Sequence, residues 1–256
     1  MTKILHLVAR ITGSLRVYGV LLALLLLGFP IIFLAISIWP RHQAWGFIQK
    51  IFRLTLWAAG IHVEQFGIEK VPPSAPAILM GNHVNWLDHL ILATALPTPL
   101  VGFEKTENFK IPIYGPMMRR WGNVEVRRRA DLQEAMQAAE NAAKILAQGC
   151  WFLVFPEGTR TRNGELGAFK KGGFHMAVDA NAVIVPFAFT GARDIMAAGK
   201  WWISPGCVTV RFAAPIYASQ FGKPQLESLM TETRTAILQL LDPGDAPDSA
   251  QPVKEG

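Results

Sequence analysis

A histidine and an aspartate five positions apart, His83 and Asp88, are the residues whose types and spacing best suit acid–base chemistry. They follow the apolar run Ala75–Met80, which predicts a buried strand. On a continuous helix five residues correspond to about 500° of rotation, so the two side chains would not share a face. If the helix instead begins at Asn85, His83 lies in the strand-to-helix turn and the two side chains can meet. Asp88 would then orient one ring nitrogen and leave the other free to take a proton.

No nucleophilic side chain stands beside this pair in the sequence. A base without its own nucleophile favours a reaction in which a substrate hydroxyl or a water molecule attacks. A structural interpretation competes with the catalytic one, because Asn85 and Asp88 also have the spacing of a helix cap.

A second candidate segment follows the apolar run Trp151–Val154 and reads Phe155-Pro156-Glu157-Gly158-Thr159-Arg160. Pro-Glu-Gly predicts a sharp turn at the carboxyl end of a strand, which is where open α/β sheets bind ligands. Arg160 offers a planar fork suited to phosphate, and Glu157 could hold that guanidinium or bind a substrate hydroxyl. The alternative is a surface turn with an ordinary ion pair.

The segment between these two is strongly basic. Its cations outnumber Glu107 and Glu125, and they are Lys105, Lys110, Arg119, Arg120, Arg127, Arg128 and Arg129. We expect Arg119 and Arg120 on a basic face that touches anionic lipid. Arg127 and Arg128 stand at the end of a predicted strand, and we expect one of them to contact phosphate.

Short apolar runs alternate with helical patterns from Ile61 onward. The predicted strands are Ile61–Phe66, Ala75–Met80, Leu100–Phe103, Asn123–Val126, Trp151–Phe155, Val183–Phe189 and Val208–Phe212. The predicted helices are Trp86–Leu96, Lys110–Trp121, Asp131–Ala147, Gly173–Ala180 and Pro224–Leu241. This alternation predicts an α/β fold with a mixed, centrally parallel sheet flanked by helices.

The N-terminal part has a different character. Residues Val17–Pro40 carry no charge over 24 positions, about 36 Å as a helix, which is enough to cross a bilayer. We interpret this run as a retained membrane anchor, kinked or made re-entrant by Pro30; the alternative is a buried core helix. The pattern of Trp45–Trp57, with both tryptophans near one side, predicts an interfacial helix or a second core helix.

Three regions follow from these patterns: an anchor and interfacial helix over residues 1–60, a catalytic domain over 61–242 and a disordered tail over 243–256. The net charge of +6 favours anionic partners. Membrane lipids fit this better than nucleic acid, because no interleaving of aromatic and basic residues marks a base-stacking surface. Cys150 and Cys207 have no metal-ligand spacing, so no metal site is predicted.

Taken together, these segments resemble the glycerolipid acyltransferase family, specifically the 1-acylglycerol-3-phosphate acyltransferases. Asn82-His83 with Asp88 matches one family block, and Phe155-Pro156-Glu157-Gly158-Thr159-Arg160 matches another. Between and after them, further matches are Lys105, Pro112, Gly115, Val124-Glu125-Val126-Arg127-Arg128 and Phe169-Lys170-Lys171-Gly172. The family's fourth block is an aliphatic stretch with two prolines. Here the second proline is present as Pro186, but Val183 stands at the position of the first. The resemblance covers residues 75–190.

The resemblance implies a glycerol-3-phosphate acyltransferase-like fold, and a mechanism. His83 would deprotonate the free hydroxyl of a lysophospholipid, with Asp88 stabilising the imidazolium. The alkoxide would attack a fatty acyl thioester on coenzyme A or acyl carrier protein, a co-substrate rather than a cofactor. The phosphate would be held by Arg128, Arg160 and Lys105, and Glu157, Gly158 and Thr159 would line the acceptor pocket.

The resemblance also implies a place in the cell, the cytoplasmic face of the inner membrane, and a product, phosphatidic acid for phospholipid synthesis. Three other functions remain open at this point: acyl transfer to another lysophospholipid or an aminolipid, hydrolysis by a membrane-bound thioesterase, and lipid binding by a non-catalytic adaptor. Hydrolysis would use the same histidine and aspartate on water.

Overall fold

The computed structural model describes residues 2–71, 76–127, 132–161 and 163–241. The strands are β1 (Ile61–Phe66), β2 (Ala77–Gly81), β3 (Leu100–Lys105), β4 (Val124–Val126), β5 (Trp151–Val154), β6 (Val183–Thr190), β7 (Gly206–Phe212) and β8 (Ile216–Tyr217). The helices are α1 (Thr2–Ala23), α2 (Phe29–Ile38), α3 (Arg41–Ala59), α4 (Asp88–Thr94), α5 (Tyr114–Trp121), α6 (Leu132–Ala147), α7 (Gly172–Asp179), α8 (Ala192–Ile195) and α9 (Leu226–Leu241).

The described strands form one mixed sheet in the order β1-β7-β6-β2-β5-β3-β4, with β8 beside β6. Strands β6, β2, β5, β3 and β4 are parallel to one another, whereas β7 is antiparallel to β6. Every residue of β2 and β5 is buried, as expected for central strands covered on both faces. The predicted fold, with its centrally parallel sheet and flanking helices, is therefore confirmed.

Three predicted helices, α4, α5 and α9, begin at least two residues later than the sequence pattern indicated. Helix α4 begins at Asp88, because the Oδ1 atom of Asn85 accepts the N–H of Leu87 at 2.8 Å and closes a turn before the helix. Helix α5 begins at Tyr114, because Pro112 and Ile113, whose φ is 68°, form a turn in which Tyr114 N–H donates to the Pro112 carbonyl. The prediction missed β8 and α8, which are too short to show a period.

The apolar N-terminal run forms a helix that continues from α1 through a π-helical turn, Leu24–Gly28, into α2. The turn lies just before Pro30, which has no N–H to donate to the preceding turn. The helix Ile11–Ile38 is long and apolar enough to cross a membrane. In its most apolar stretch of 18 residues, 28% is buried against the rest of the protein.

This apolar helix contacts the sheet domain at several points along its length. The hydroxyl of Ser14 donates to the Ile203 carbonyl at 3.2 Å and accepts the Ile203 N–H at 3.1 Å. Farther along, Phe29 packs against Tyr114 with ring centroids 5.6 Å apart. A helix attached in this way lies along the domain rather than projecting from it.

Helix α3 combines the two alternatives left open by its sequence. Trp45 is buried, stacks on Trp121 and donates its indole N–H to the Leu96 carbonyl. Trp57 is 69% exposed, so the two tryptophans do not share a side as predicted, and Leu54 is exposed with it. The helix therefore packs one face on the core and presents apolar groups on another. The predicted tail over residues 243–256 lies outside the described residues.

Candidate active site

The loop after β2 is fixed to the sheet by Asn82. This buried side chain donates to the Phe189 carbonyl at 3.1 Å and accepts the Phe189 N–H at 2.8 Å. The two bonds tie the end of β2 to the end of β6, its parallel neighbour. His83, the next residue, therefore leaves the sheet from a fixed point.

His83 and Asp88 lie in direct contact. The Nδ1 atom of His83 is 2.8 Å from Oδ2 of Asp88, which also accepts the backbone N–H groups of Val84 at 2.7 Å and Asn85 at 3.0 Å. Asp88 is fully buried, and its Oδ1 atom has no hydrogen-bond partner among the described residues. One carboxylate oxygen thus shapes the turn and holds the imidazole at once.

The imidazole of His83 is oriented on two sides and open on another. Its ring stacks on Phe155 with centroids 4.0 Å apart and planes 9° apart. Its side chain is 18% exposed. With Asp88 accepting from Nδ1–H, the lone pair lies on Nε2, which contacts no hydrogen-bonding group in the described part of the chain. The pair has the geometry of a general base and its orienting carboxylate.

Glu157 joins the two candidate segments from inside the protein. Its Oε1 accepts the backbone N–H of His83 at 3.1 Å, and its Oε2 accepts the N–H of Gly167 at 2.8 Å. The side chain is 7% exposed, and in the described ranges no ion pair links it to Arg160. Because both oxygens already have partners, the contacts favour a supporting role for Glu157 over a contact with substrate.

The rest of this loop lies at the surface beside His83. Gly158, Thr159 and Arg160 are exposed, and the next residue, Thr161, donates its N–H to the His83 carbonyl at 2.7 Å. Gly158 has a φ of 68°, and a Cβ there would lie 2.8 Å from the Lys170 side chain. The loop is thus hydrogen-bonded to the backbone of His83 at the residue that follows Arg160.

The predicted phosphate-binding residues lie partly within the described chain. Lys105 is exposed at the end of β3, opposite Val126 of β4 in the register. Arg127 follows that strand and forms an ion pair with Glu134 at 2.7 Å. Arg128 lies outside the described residues. Since β2, β5 and β3 are parallel neighbours, their carboxyl ends lie at one edge of the sheet, where Lys105 ends β3 and His83 and Arg160 lie in the loops after β2 and β5.

His89, the second residue of α4, lies beside His83. Its ring lies 6.1 Å from the His83 ring and 5.3 Å from the Phe155 ring, both edge to face. The side chain is exposed at one side, yet the surrounding protein removes enough water to lower the pKa of His89, and the neighbouring His83 lowers it further.

In the described part of the chain, no group of three or more His, Cys, Asp or Glu side chains could hold a metal ion.

Comparison with known proteins identifies the family. Residues 62–190, half of the chain, match the family model described as Acyltransferase. The chain belongs to the acyltransferase family. It is 34% identical over 195 residues to the 1-acyl-sn-glycerol-3-phosphate acyltransferase of Borreliella burgdorferi, covering 76% of this chain and 78% of that protein.

A second relative is longer than this chain. The 1-acyl-sn-glycerol-3-phosphate acyltransferase of Chlamydomonas reinhardtii is 33% identical over 172 residues, which cover 66% of this chain and 51% of the relative. The chain thus spans about half the length of that relative. The crystal structure of the 1-acyl-sn-glycerophosphate acyltransferase of Thermotoga maritima has the same fold, with a TM-score of 0.76 and 22% identity over 91% of this chain and 95% of that one.

Proposed function

We propose that this acyltransferase transfers a fatty acyl group from an acyl thioester to the free hydroxyl of 1-acylglycerol-3-phosphate, making phosphatidic acid for phospholipid synthesis. The observation that carries the proposal is the His83–Asp88 pair, joined at 2.8 Å with an open Nε2. Two relatives named 1-acyl-sn-glycerol-3-phosphate acyltransferases support this acceptor.

The reaction needs a base and no covalent enzyme intermediate. Nε2 of His83 takes the proton of the acceptor hydroxyl, and the oxygen attacks the thioester carbonyl carbon. When the tetrahedral intermediate collapses, the carbon–sulfur bond breaks and the imidazolium returns its proton to the thiolate. The new ester and a free thiol leave. Asp88 stabilises the imidazolium between these two proton transfers.

The acceptor phosphate binds to cations at the same edge of the sheet. Arg160 and Lys105 are exposed there, and Arg128 completes the set by the family resemblance. A guanidinium that grips the phosphate holds the hydroxyl near Nε2, which converts part of the binding energy into orientation. Glu157 supports the loop, while Gly158 and Thr159 border the acceptor pocket. The donor is acyl-CoA or acyl-loaded acyl carrier protein, used as a co-substrate.

The enzyme works at a membrane surface, on the cytoplasmic face in this proposal. The helix Ile11–Ile38 exposes large apolar side chains, among them Leu27, Leu34 and Ile38, on the side that does not pack on the domain. Leu54 and Trp57 of α3 are further large apolar side chains exposed in this N-terminal part. Because the helix is attached to the domain at Ser14 and Phe29, an interfacial position fits these contacts better than a perpendicular span.

A thioester labelled in its acyl chain tests the proposal. With 1-acylglycerol-3-phosphate present, the wild-type enzyme should yield labelled phosphatidic acid. His83→Ala should reduce turnover by about 10²–10⁴-fold, the usual contribution of a positioned base. His62→Ala, an exposed histidine of β1, is the matched control and should retain activity.

Other products would contradict the proposal in distinguishable ways. Labelled free fatty acid alone, with acceptor supplied, would indicate a thioesterase. Faster labelling of another lysophospholipid would assign a different acceptor. Unchanged turnover in His83→Ala would remove this residue from the mechanism.

A further inference from the structure

The most completely bonded polar side chain near the catalytic pair is not part of that pair. Asn85 is 0% exposed. Its Nδ2 donates to the carbonyls of Ala192 at 2.9 Å and Met196 at 3.3 Å, and its Oδ1 accepts the Leu87 N–H at 2.8 Å. A buried amide engaged at both ends is costly to bury and strongly orienting once bonded.

These bonds act directly on the geometry of the base. The backbone N–H of Asn85 donates to the same Asp88 oxygen that holds His83, at 3.0 Å. The Oδ1 bond to Leu87 closes the turn immediately before α4, whose first residue is Asp88. The position of Asn85 therefore sets where the carboxylate points, and the carboxylate sets the orientation of the imidazole.

The segment that accepts the hydrogen bonds of the Asn85 amide, helix α8 with Met196, is itself held firmly in place. Ala192 and Ile195 are each 1% exposed. Gly191, which precedes α8, has a φ of 79° and lies so close to β7 that a Cβ would come within 2.4 Å of the Cys207 carbonyl. Ser204 N–H donates to the Ile195 carbonyl at 2.9 Å. A side chain bonded to such a segment is held by the fold and not only by its own turn.

We infer that Asn85 is a positioning residue for acyl transfer, holding the His83–Asp88 turn against α8 so that the imidazole stays in its productive orientation. This inference rests on the proposed function for its kinetic readout. Asn85 touches no reacting atom in this role, so its loss should lower the rate of the chemical step and leave substrate binding largely intact. A misplacement of about 1 Å is enough to lower a rate about 10²-fold.

Two substitutions and one control test the inference kinetically. Asn85→Ala removes the hydrogen bonds of the side chain to the Ala192 and Met196 carbonyls and to the Leu87 N–H. Asn85→Ser retains an oxygen that can accept the Leu87 N–H. We expect kcat to fall about 10- to 100-fold in Asn85→Ala and less in Asn85→Ser, with KM for both substrates within about threefold of wild type. The control is Asn123→Ala, because Asn123 also accepts a backbone N–H, that of Gly102, but lies outside the site.

A second readout does not depend on turnover. In protein labelled with ¹⁵N-histidine, the His83 signal of the wild type should report the Nδ1–H tautomer, and Asn85→Ala should show a mixture of tautomers. If the wild type transfers no acyl group to 1-acylglycerol-3-phosphate, the proposed function fails, while this spectrum still tests the positioning role. An unchanged His83 spectrum, a change confined to KM, or a loss of kcat equal to that in Asn123→Ala at matched stability would each overturn the inference.

Discussion

Replacing Glu157 by glutamine tests whether this carboxylate supports the loop or contacts the acceptor. Both oxygens accept backbone N–H groups, from His83 at 3.1 Å and Gly167 at 2.8 Å. Glutamine has one oxygen, so its amide NH₂ must face one of the two donors. The variant therefore loses one charge-assisted bond, exchanges the other for a neutral one and buries two facing donors.

The magnitude follows from these contacts. A hydrogen bond to a charged group contributes about 1.5–3 kcal/mol, so Glu157→Gln should destabilise the fold by about 2–4 kcal/mol. For a domain of this size that corresponds to a fall in Tm of about 5–10 °C. Glu157→Ala, which loses both bonds, should cost about 3–6 kcal/mol. Because one bond holds the His83 backbone, kcat should fall with stability.

Thermal unfolding followed by circular dichroism, with steady-state kinetics on the same samples, measures both effects. Glu165→Gln is the control, since Glu165 is exposed in the same loop and its substitution should change stability by less than about 0.5 kcal/mol. A Glu157→Gln enzyme with wild-type Tm and kcat but a raised KM for 1-acylglycerol-3-phosphate would refute the supporting role and favour direct contact with the acceptor.

Three further predictions concern neighbouring side chains. Asp88→Asn can keep its oxygen on the three donors and place its NH₂ at the unpartnered Oδ1 position, so we expect kcat to fall about 10²–10⁴-fold with a stability loss of about 1–3 kcal/mol, measured by kinetics and denaturant unfolding. Arg160→Ala should raise KM for 1-acylglycerol-3-phosphate about 10- to 100-fold; an acceptor without phosphate should show no such change, and equal changes for both would contradict phosphate binding. The pKa of His89 is lowered, so an NMR titration should give a midpoint below 6.5. The unfolded chain then binds the proton more readily, stability falls as the pH drops through 6.5 towards the folded pKa, and His89→Asn should remove that part of the pH dependence.

The sheet was predictable because its central strands are buried on both faces and therefore appear as continuous apolar runs. The bounds of Ile61–Phe66 were predicted without error, and the other predicted strands differ from the observed ones by one or two residues at either end. The order of the strands in the sheet was not predictable, because pairing depends on contacts between distant segments rather than on local pattern.

The candidate site was predictable where residues are close in sequence. His83 and Asp88 do meet in the strand-to-helix turn, as their spacing indicated, although the helix starts at Asp88 and not at Asn85. The partners of Glu157 were not predictable, because one of them is a backbone N–H 74 residues away. The prediction that both tryptophans of α3 lie on one side was wrong for a similar reason. Trp45 is buried because it stacks on Trp121 and donates a hydrogen bond to the Leu96 carbonyl, and both partners are distant in sequence.

The double hydrogen bond between Ser14 and Ile203 has a consequence for anyone who trims this chain to obtain a detergent-free fragment. A fragment that begins at Arg41 would lack the Ser14 hydroxyl, so the backbone N–H and C=O of Ile203 would lose their hydrogen-bond partner. It would also expose the core side chains that Ile32 and Ile36 now cover. Such a fragment would lose the apolar outer face of the N-terminal helix but would expose a new apolar surface on the domain. Shortening should instead keep α1 and α2 and replace only their outward leucines with polar residues.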